Sequence, residues 1–190
     1  MKKKVSIIAI LVICLSLIAT GTLAYFTTDA IARNVITTGG VGIELIDKHM
    51  GEDGIVVDFP PEGIPGVMPG CSVSKIVAAT NNEAEAWIRI RADKVVTAAD
   101  GSELPTDLIT FQVDETKWWL NDGYYHYRFP VATGESTDIL FDEVLFDGAM
   151  GNEYQGCKVE ILVYAQAVQT ANNGTTVEEA AGWPEPVVIE

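Results

Sequence analysis

From residue 34 onward, apolar and polar positions along the chain alternate with a period of two. Ala86, Ile88, Ile90 and Ala92 interleave with Trp87, Arg89, Arg91 and Asp93. Cys157, Val159, Ile161, Val163, Ala165 and Ala167 interleave with Lys158, Glu160, Leu162, Tyr164, Gln166 and Val168. Successive side chains of a strand point to opposite faces, so each stretch predicts a strand with an apolar face and a more polar one. Ile109, Phe111 and Val113 repeat the pattern on a smaller scale. Val35 to Ile46, Ile55 to Phe59, Ser72 to Thr80 and Ile139 to Phe146 also read as strands.

Turn chemistry separates these runs. Asp122-Gly123, between Trp118-Trp119-Leu120 and Tyr124-Tyr125-His126-Tyr127, supports the positive φ angles of a tight hairpin. Pro60-Pro61-Glu62-Gly63-Ile64-Pro65-Gly66 reads as a rigid loop, and Asn81-Asn82 and Thr133-Gly134 as turns. Helical signals are few. Thr175-Thr176-Val177-Glu178 fits a capping box opening a short helix that Gly182 and Pro184 would stop, and Thr106 to Leu108 fits a single turn. Many short strands with frequent turns predict an all-β antiparallel sandwich or barrel with one or two short helices.

The first residues follow another logic. Met1-Lys2-Lys3-Lys4 precedes an apolar run from Val5 to Ala19, and small residues follow. That is the make-up of a secretory signal peptide. The run is about 15 residues, short of the ~20 that span a bilayer comfortably. Thr22 and Ala24 supply small side chains at the two positions a signal peptidase reads, so cleavage is expected after Ala24, with Tyr25 as the first mature residue. The expected organisation is therefore a signal peptide over 1–24, an extended segment over 25–34 and one β-sandwich domain over 35–190. Secretion follows, with no stable membrane anchor after cleavage; Pro186-Val187-Val188-Ile189-Glu190 is too short to provide one.

Charge narrows the partners. The chain has 12 Lys+Arg against 27 Asp+Glu, and three lysines leave with the signal, so the mature balance is 9 against 27, a net charge of −18. Nucleic acid and anionic lipid both require clustered cations, and neither is expected as a partner. An acidic exterior favours solubility and repulsion between copies at low salt.

Candidate chemistry is sparse. Cys14 lies inside the apolar run, leaving Cys71 and Cys157 in the exported chain. Two thiols in an oxidising compartment fit one disulfide, closing a loop of about 86 residues for roughly 4–5 kcal/mol; two separate small buried residues are the alternative. His49 and His126 are the two histidines, and no His-Glu-x-x-His pair is present to hold zinc. His126, sharing a strand face with Tyr124 and Arg128, reads as a polar surface residue. No Gly-x-Ser-x-Gly elbow and no EF-hand loop occur. Asp93, Asp100, Glu103 and Asp107 form a solvated acidic stretch, with calcium as the lesser reading; otherwise no cofactor and no enzymatic activity are expected. Trp118, Trp119, Tyr124, Tyr125 and Tyr127 straddle one hairpin. They suit cross-strand packing in the core, or a surface platform of Trp119, Tyr124, Tyr125 and Tyr127 that stacks on sugars or on another protein.

Gly21-Thr22-Leu23-Ala24-Tyr25-Phe26-Thr27 followed by Asn34-Val35-Ile36-Thr37-Thr38-Gly39 resembles the export signal and first strand of the TasA/camelysin family. Met68-Pro69-Gly70, Ala86-Trp87-Ile88-Arg89-Ile90-Arg91, Asp122-Gly123-Tyr124-Tyr125-His126-Tyr127, Gly134-Glu135-Ser136-Thr137 and Ala165-Gln166-Ala167-Val168-Gln169 continue the likeness in order. The resemblance implies a Gram-positive exported protein processed by a SipW-type signal peptidase, with a jelly-roll-like sandwich. It implies a structural role in the extracellular or biofilm matrix, with itself or sister matrix proteins as partners. Fibres of that family grow by strand addition, and the corresponding donor strand here is Tyr25 to Asn34, with Tyr25, Phe26, Thr27 and Ile31 as its distinctive side chains. Two other readings stand beside this one: a monomeric glycan-binding module of the cell surface using the aromatic hairpin, and a camelysin-like secreted metalloprotease, for which the chain shows no ligand set.

Overall fold

The structure, a computed structural model, describes residues 26–33 as backbone and residues 42–61 and 63–185 in full. Thr22, Ala24 and Tyr25 of the expected cleavage site lie outside the described residues. Eleven strands are found among those described: β1 Phe26–Arg33, β2 Ile43–Met50, β3 Val56–Asp58, β4 Ile64–Val67, β5 Ser72–Asn81, β6 Ala86–Thr97, β7 Ile109–Thr110, β8 Trp118–Asn121, β9 Tyr124–Tyr127, β10 Phe141–Phe146 and β11 Lys158–Gln169. One sheet runs β4-β1-β11-β6-β9-β8 and the other β3-β2-β5-β10-β7. The protein is an all-β sandwich.

Alternation explains how the sheets meet. Val77 and Ala79 of β5 and Val144 and Phe146 of β10 pack in one core with Ile88 and Ile90 of β6 and Val159, Ile161 and Val163 of β11. Each is buried, and fully burying a valine, isoleucine or phenylalanine side chain stabilises the fold by about 1.5–3 kcal/mol. The long central ladder is antiparallel, with β11 matched to β6 from Lys158↔Thr97 to Gln169↔Ala86. The other edge of β11 is taken by β1, which runs parallel to it from Thr27↔Lys158 to Arg33↔Tyr164. Beyond β1 lies β4, antiparallel, with a register shift between Phe26 and Thr28.

Three expectations need amendment. The Pro60–Gly66 loop is partly strand: Ile64–Val67 forms β4, where Pro65 is tolerated because β4 is an edge. The Ile109 to Val113 run contributes only Ile109–Thr110, since β7 meets just Phe146 and Leu145 at the end of β10. Past that point Phe111 leaves the sheet and stacks on Phe141 at 4.3 Å. Thr175 opens no helix: its N–H and Oγ1 bond Glu179 Oε2 at 2.8 and 3.0 Å, and Val177 turns inward to become buried. The one short helix among the described residues is a 3-10 turn at Asn152–Tyr154.

The predicted polar faces are open to water only in part. Trp87 and Arg89 of β6 and Gln166 and Val168 of β11 are all buried. A strap formed by residues 170–185 lies over them, so this end of the six-stranded sheet is covered on both sides, while Arg91, Asp93, Lys158 and Glu160 further along the same face stay partly exposed.

The β8–β9 hairpin closes as its Asp-Gly dipeptide requires, with φ of 48° at Asp122 and 76° at Gly123. A Cβ on Gly123 would meet nothing within 4 Å, so only backbone strain opposes a side chain. Gly123→Ala should therefore lower stability by about 1 kcal/mol, and Gly123→Asn by less, because Asn tolerates positive φ. Urea unfolding of the two variants beside the parent checks the order.

Candidate functional site

The aromatic hairpin is sorted by its register. Trp118↔Tyr127 and Trp119↔His126 are cross-strand pairs, and neighbouring pairs face opposite sides. Trp118 and Tyr127 point into the sandwich core, where Trp118 Nε1 donates to Ile139 O at 3.2 Å and Tyr127 Oη donates to Asp138 Oδ2 at 2.5 Å. Burial, followed by the Asp138 carboxylate, pushes the Tyr127 hydroxyl up to about 12. Tyr124 lies on the opposite face and is buried beneath the strap. The expected surface platform is thus not formed as a set, because Tyr124 and Tyr127 are buried. Trp119 and Tyr125 are partly exposed and line an open cleft of about 400 Å³ with Phe111, Leu120 and Arg128.

Beneath the strap, cations and rings interleave. The Arg89 guanidinium lies 4.0 Å from the Tyr124 ring centroid and 4.6 Å from that of Trp183. Its Nε and Nη2 donate to Gln166 Oε1 at 2.9 and 2.6 Å, and Nη2 reaches Pro184 O at 3.3 Å. Burial lowers the Arg89 pKa. Gln166 Nε2 donates to Glu185 O at 3.1 Å and Trp87 Nε1 to Asn173 O at 3.1 Å, so polar side chains of the sheet hold the strap by its backbone. At its edge Arg128 pairs with Glu178 at 3.0 Å.

His126 sits in the middle of this layer and is not the surface residue expected. It is 3% exposed, with its ring 5.2 Å from Trp119 and 5.3 Å from Trp183. Among the described residues, neither ring nitrogen has a hydrogen-bond partner. Burial first, then the Arg89 charge, drives its pKa down to about 4. The signal available in the sequence was the aromatic company on both strands of the hairpin; the strap that seals it arrives from residues 170–185 and left no local mark.

A second buried polar group was also missed. Lys75, on the core face of β5 between Val73 and Val77, is fully buried and bonds Asp47 of β2 at 2.6 Å. Its Nζ lies 4.3 Å from the centroid of the Phe59 ring, which contacts the ring of His49 edge-on at 5.7 Å. Here the sequence did carry a cue: Lys75 and Asp47 each break an otherwise apolar face, Val73-x-Lys75-x-Val77 and Ile43-x-Leu45-x-Asp47.

Cys71 and Cys157 are free, so the expected disulfide is absent. Cys71 is exposed ahead of β5 in one sheet, whereas Cys157 is buried ahead of β11 in the other; a disulfide needs both side chains to converge. Burial pushes the Cys157 thiol up to about 11. In the acidic stretch Asp93 pairs with Arg91 at 2.6 Å, and Asp100 accepts from Ser102 N and Oγ at 3.0 and 2.7 Å. Among the described residues no group of three or more His, Cys, Asp or Glu is placed to hold a metal ion.

The candidate donor strand has two neighbours of its own. Phe26 is opposite Val67 of β4, and Thr27 and Ile31 are opposite Lys158 and Leu162 of β11. Its backbone therefore runs inside the sheet rather than free of it.

No protein-family model, curated protein or solved structure matches the chain.

Two measurements follow from these environments. His126 is neutral when folded down to about pH 4, whereas an unfolded histidine takes a proton near 6.5. Its contribution is whole above about pH 6.5 and is lost as pH falls toward 4, by up to about 3 kcal/mol. Urea midpoints should drop over that window, and His126→Phe should flatten the drop. Thiol labelling of the folded protein should modify Cys71 quickly and Cys157 only after denaturation, since the thiolate is the reactive form.

Proposed function

We propose that the chain is a secreted structural protein of the extracellular matrix, a fibre subunit or accessory component that joins its neighbours by strand addition. The observation that carries this reading is the seat of β1. It lies between β4 and β11, and its parallel pairing with β11 covers seven matched positions. Without β1, that edge of β11 would present a row of unpaired N–H and C=O groups, and β4 would lose its place in the sheet. A copy of the same segment from another molecule offers the same groups in the same register. Such an exchange is head-to-tail, and a head-to-tail contact that does not close into a ring extends into a filament.

Cleavage after Ala24 by a SipW-type peptidase would free this segment beside the domain that accepts it. The net charge of −18 expected for the mature chain opposes close approach of copies, so assembly should be favoured by salt. A second reading, a surface glycan-binding module, draws on the Trp119 and Tyr125 cleft, whose partly exposed rings suit stacking on sugars.

Negative-stain microscopy of the mature protein separates the two. Concentration-dependent filaments, strengthened by salt and lost on deletion of Tyr25 to Asn34, are the expected result. Filaments of unchanged form from the deleted protein would refute the strand-addition role. Glycan retention abolished by Trp119→Ala, without filaments from the parent, would favour the second reading.

A further inference from the structure

We propose that Lys75 and Asp47 condense to an intramolecular isopeptide bond that ties β5 covalently to β2. The two strands are neighbours, paired from Ile43↔Asn81 to Lys48↔Ile76. Asp47 is therefore diagonal to Lys75 on the core face, and the register carried one step further sets His49 opposite Lys75. Nζ and Oδ1 are already 2.6 Å apart.

Burial disfavours the separated charges. A lysine ammonium has three donors, and among the described residues Asp47 Oδ1 is the one hydrogen-bond acceptor for them. With Lys75 fully buried, bulk water supplies no others. Desolvation lowers the Lys75 pKa despite the adjacent carboxylate. Passage of one proton along the 2.6 Å contact converts ammonium and carboxylate into amine and carboxylic acid. That neutral pair suits a dry site better, and it is the reactive form.

The step balances without a further reagent. The Nζ lone pair adds to Asp47 Cγ and forms the C–N bond. Nitrogen then gives up a proton, the Cγ–OH bond breaks, and hydroxyl leaves with that proton as water. His49 is the candidate relay for the transfer, because its Nδ1 is buried and, among the described residues, unpartnered. Phe59 covers both groups, with its ring over Nζ and against the imidazole. Holding amine and acid in contact supplies the effective concentration that such a condensation lacks in water. The product is a neutral amide in place of a buried ion pair.

Intact mass spectrometry of the folded full chain, with its N-terminus established, tests the bond. The expected mass is one water below that of the sequence. After tryptic digestion a branched peptide should join the Asp47 stretch to the Lys75 stretch, with cleavage blocked at Lys75. Asp47→Asn should lose one ammonia instead, Lys75→Arg should lose nothing, and His49→Ala should slow formation by roughly 100-fold. A folded parent that keeps its full sequence mass after prolonged incubation overturns the proposal. So does a water loss that fragmentation maps to an Asp-Gly pair such as Asp122-Gly123. Both decisive readings use the parent protein, so a variant that fails to fold does not obscure them.

Discussion

The pairing along both edges of β11 is the constraint on which the other arrangements rest. For twelve residues its backbone is satisfied by β6 on one side, and for seven of them by β1 on the other. Its side chains feed two cores at once. Val159, Ile161 and Val163 enter the space between the sheets, while Gln166 and Val168 enter the layer beneath the strap. Its outward face meets water at Lys158 and Glu160 but is closed at Gln166, so that glutamine is committed to Arg89 and to the strap backbone. The aromatic hairpin, the strap and β1 all take their positions from it, directly or through β6.

This layered burial also explains why polar groups sit so deep in an acidic protein. Where a sheet is covered on both faces, it has to satisfy whatever its second face carries there. Arg89 is held by an amide oxygen, a carbonyl and two ring faces, with no carboxylate among the contacts described. Stacking on aromatic faces suits the flat, weakly hydrated guanidinium. Lys75 receives the opposite treatment, a single short contact with a carboxylate under one ring. The first arrangement spreads charge over many partners; the second concentrates it at one bond.

Much of the architecture was legible in the chain because it is written locally. The alternations of 86–93 and 157–168 announce β6 and β11, and Asp122-Gly123 announces the hairpin. What escaped was written at a distance. Whether Trp87, Arg89 and His126 meet water depends on a segment 86 and 95 residues further along for the first two, and 57 for the last. No period within a strand encodes that. The Thr175 capping signal was real as chemistry, yet it bonded Glu179 in a turn because burying Val177 against Trp87 took precedence. The disulfide inference used compartment and cysteine number, which say nothing about which way two side chains face. The buried Lys75–Asp47 pair lay between these cases: each residue interrupts an apolar face visibly, but only the strand register shows that the interruptions meet.

The direction of β1 has a consequence of its own. Because it runs parallel to β11, while its other neighbour β4 runs antiparallel to it, the slot it fills is not the same when reversed. A strand turned end for end would meet β11 antiparallel and β4 parallel, exchanging the hydrogen-bond pattern at each wall. A second copy of the β1 segment therefore reproduces this register only when it enters with the polarity of β1. A chain of molecules linked through that slot would carry a single arrow along its length, with an empty socket at one tip and an unused strand at the other. Growth and capping at the two tips would then be chemically different events, and a cell could control length by blocking just one of them.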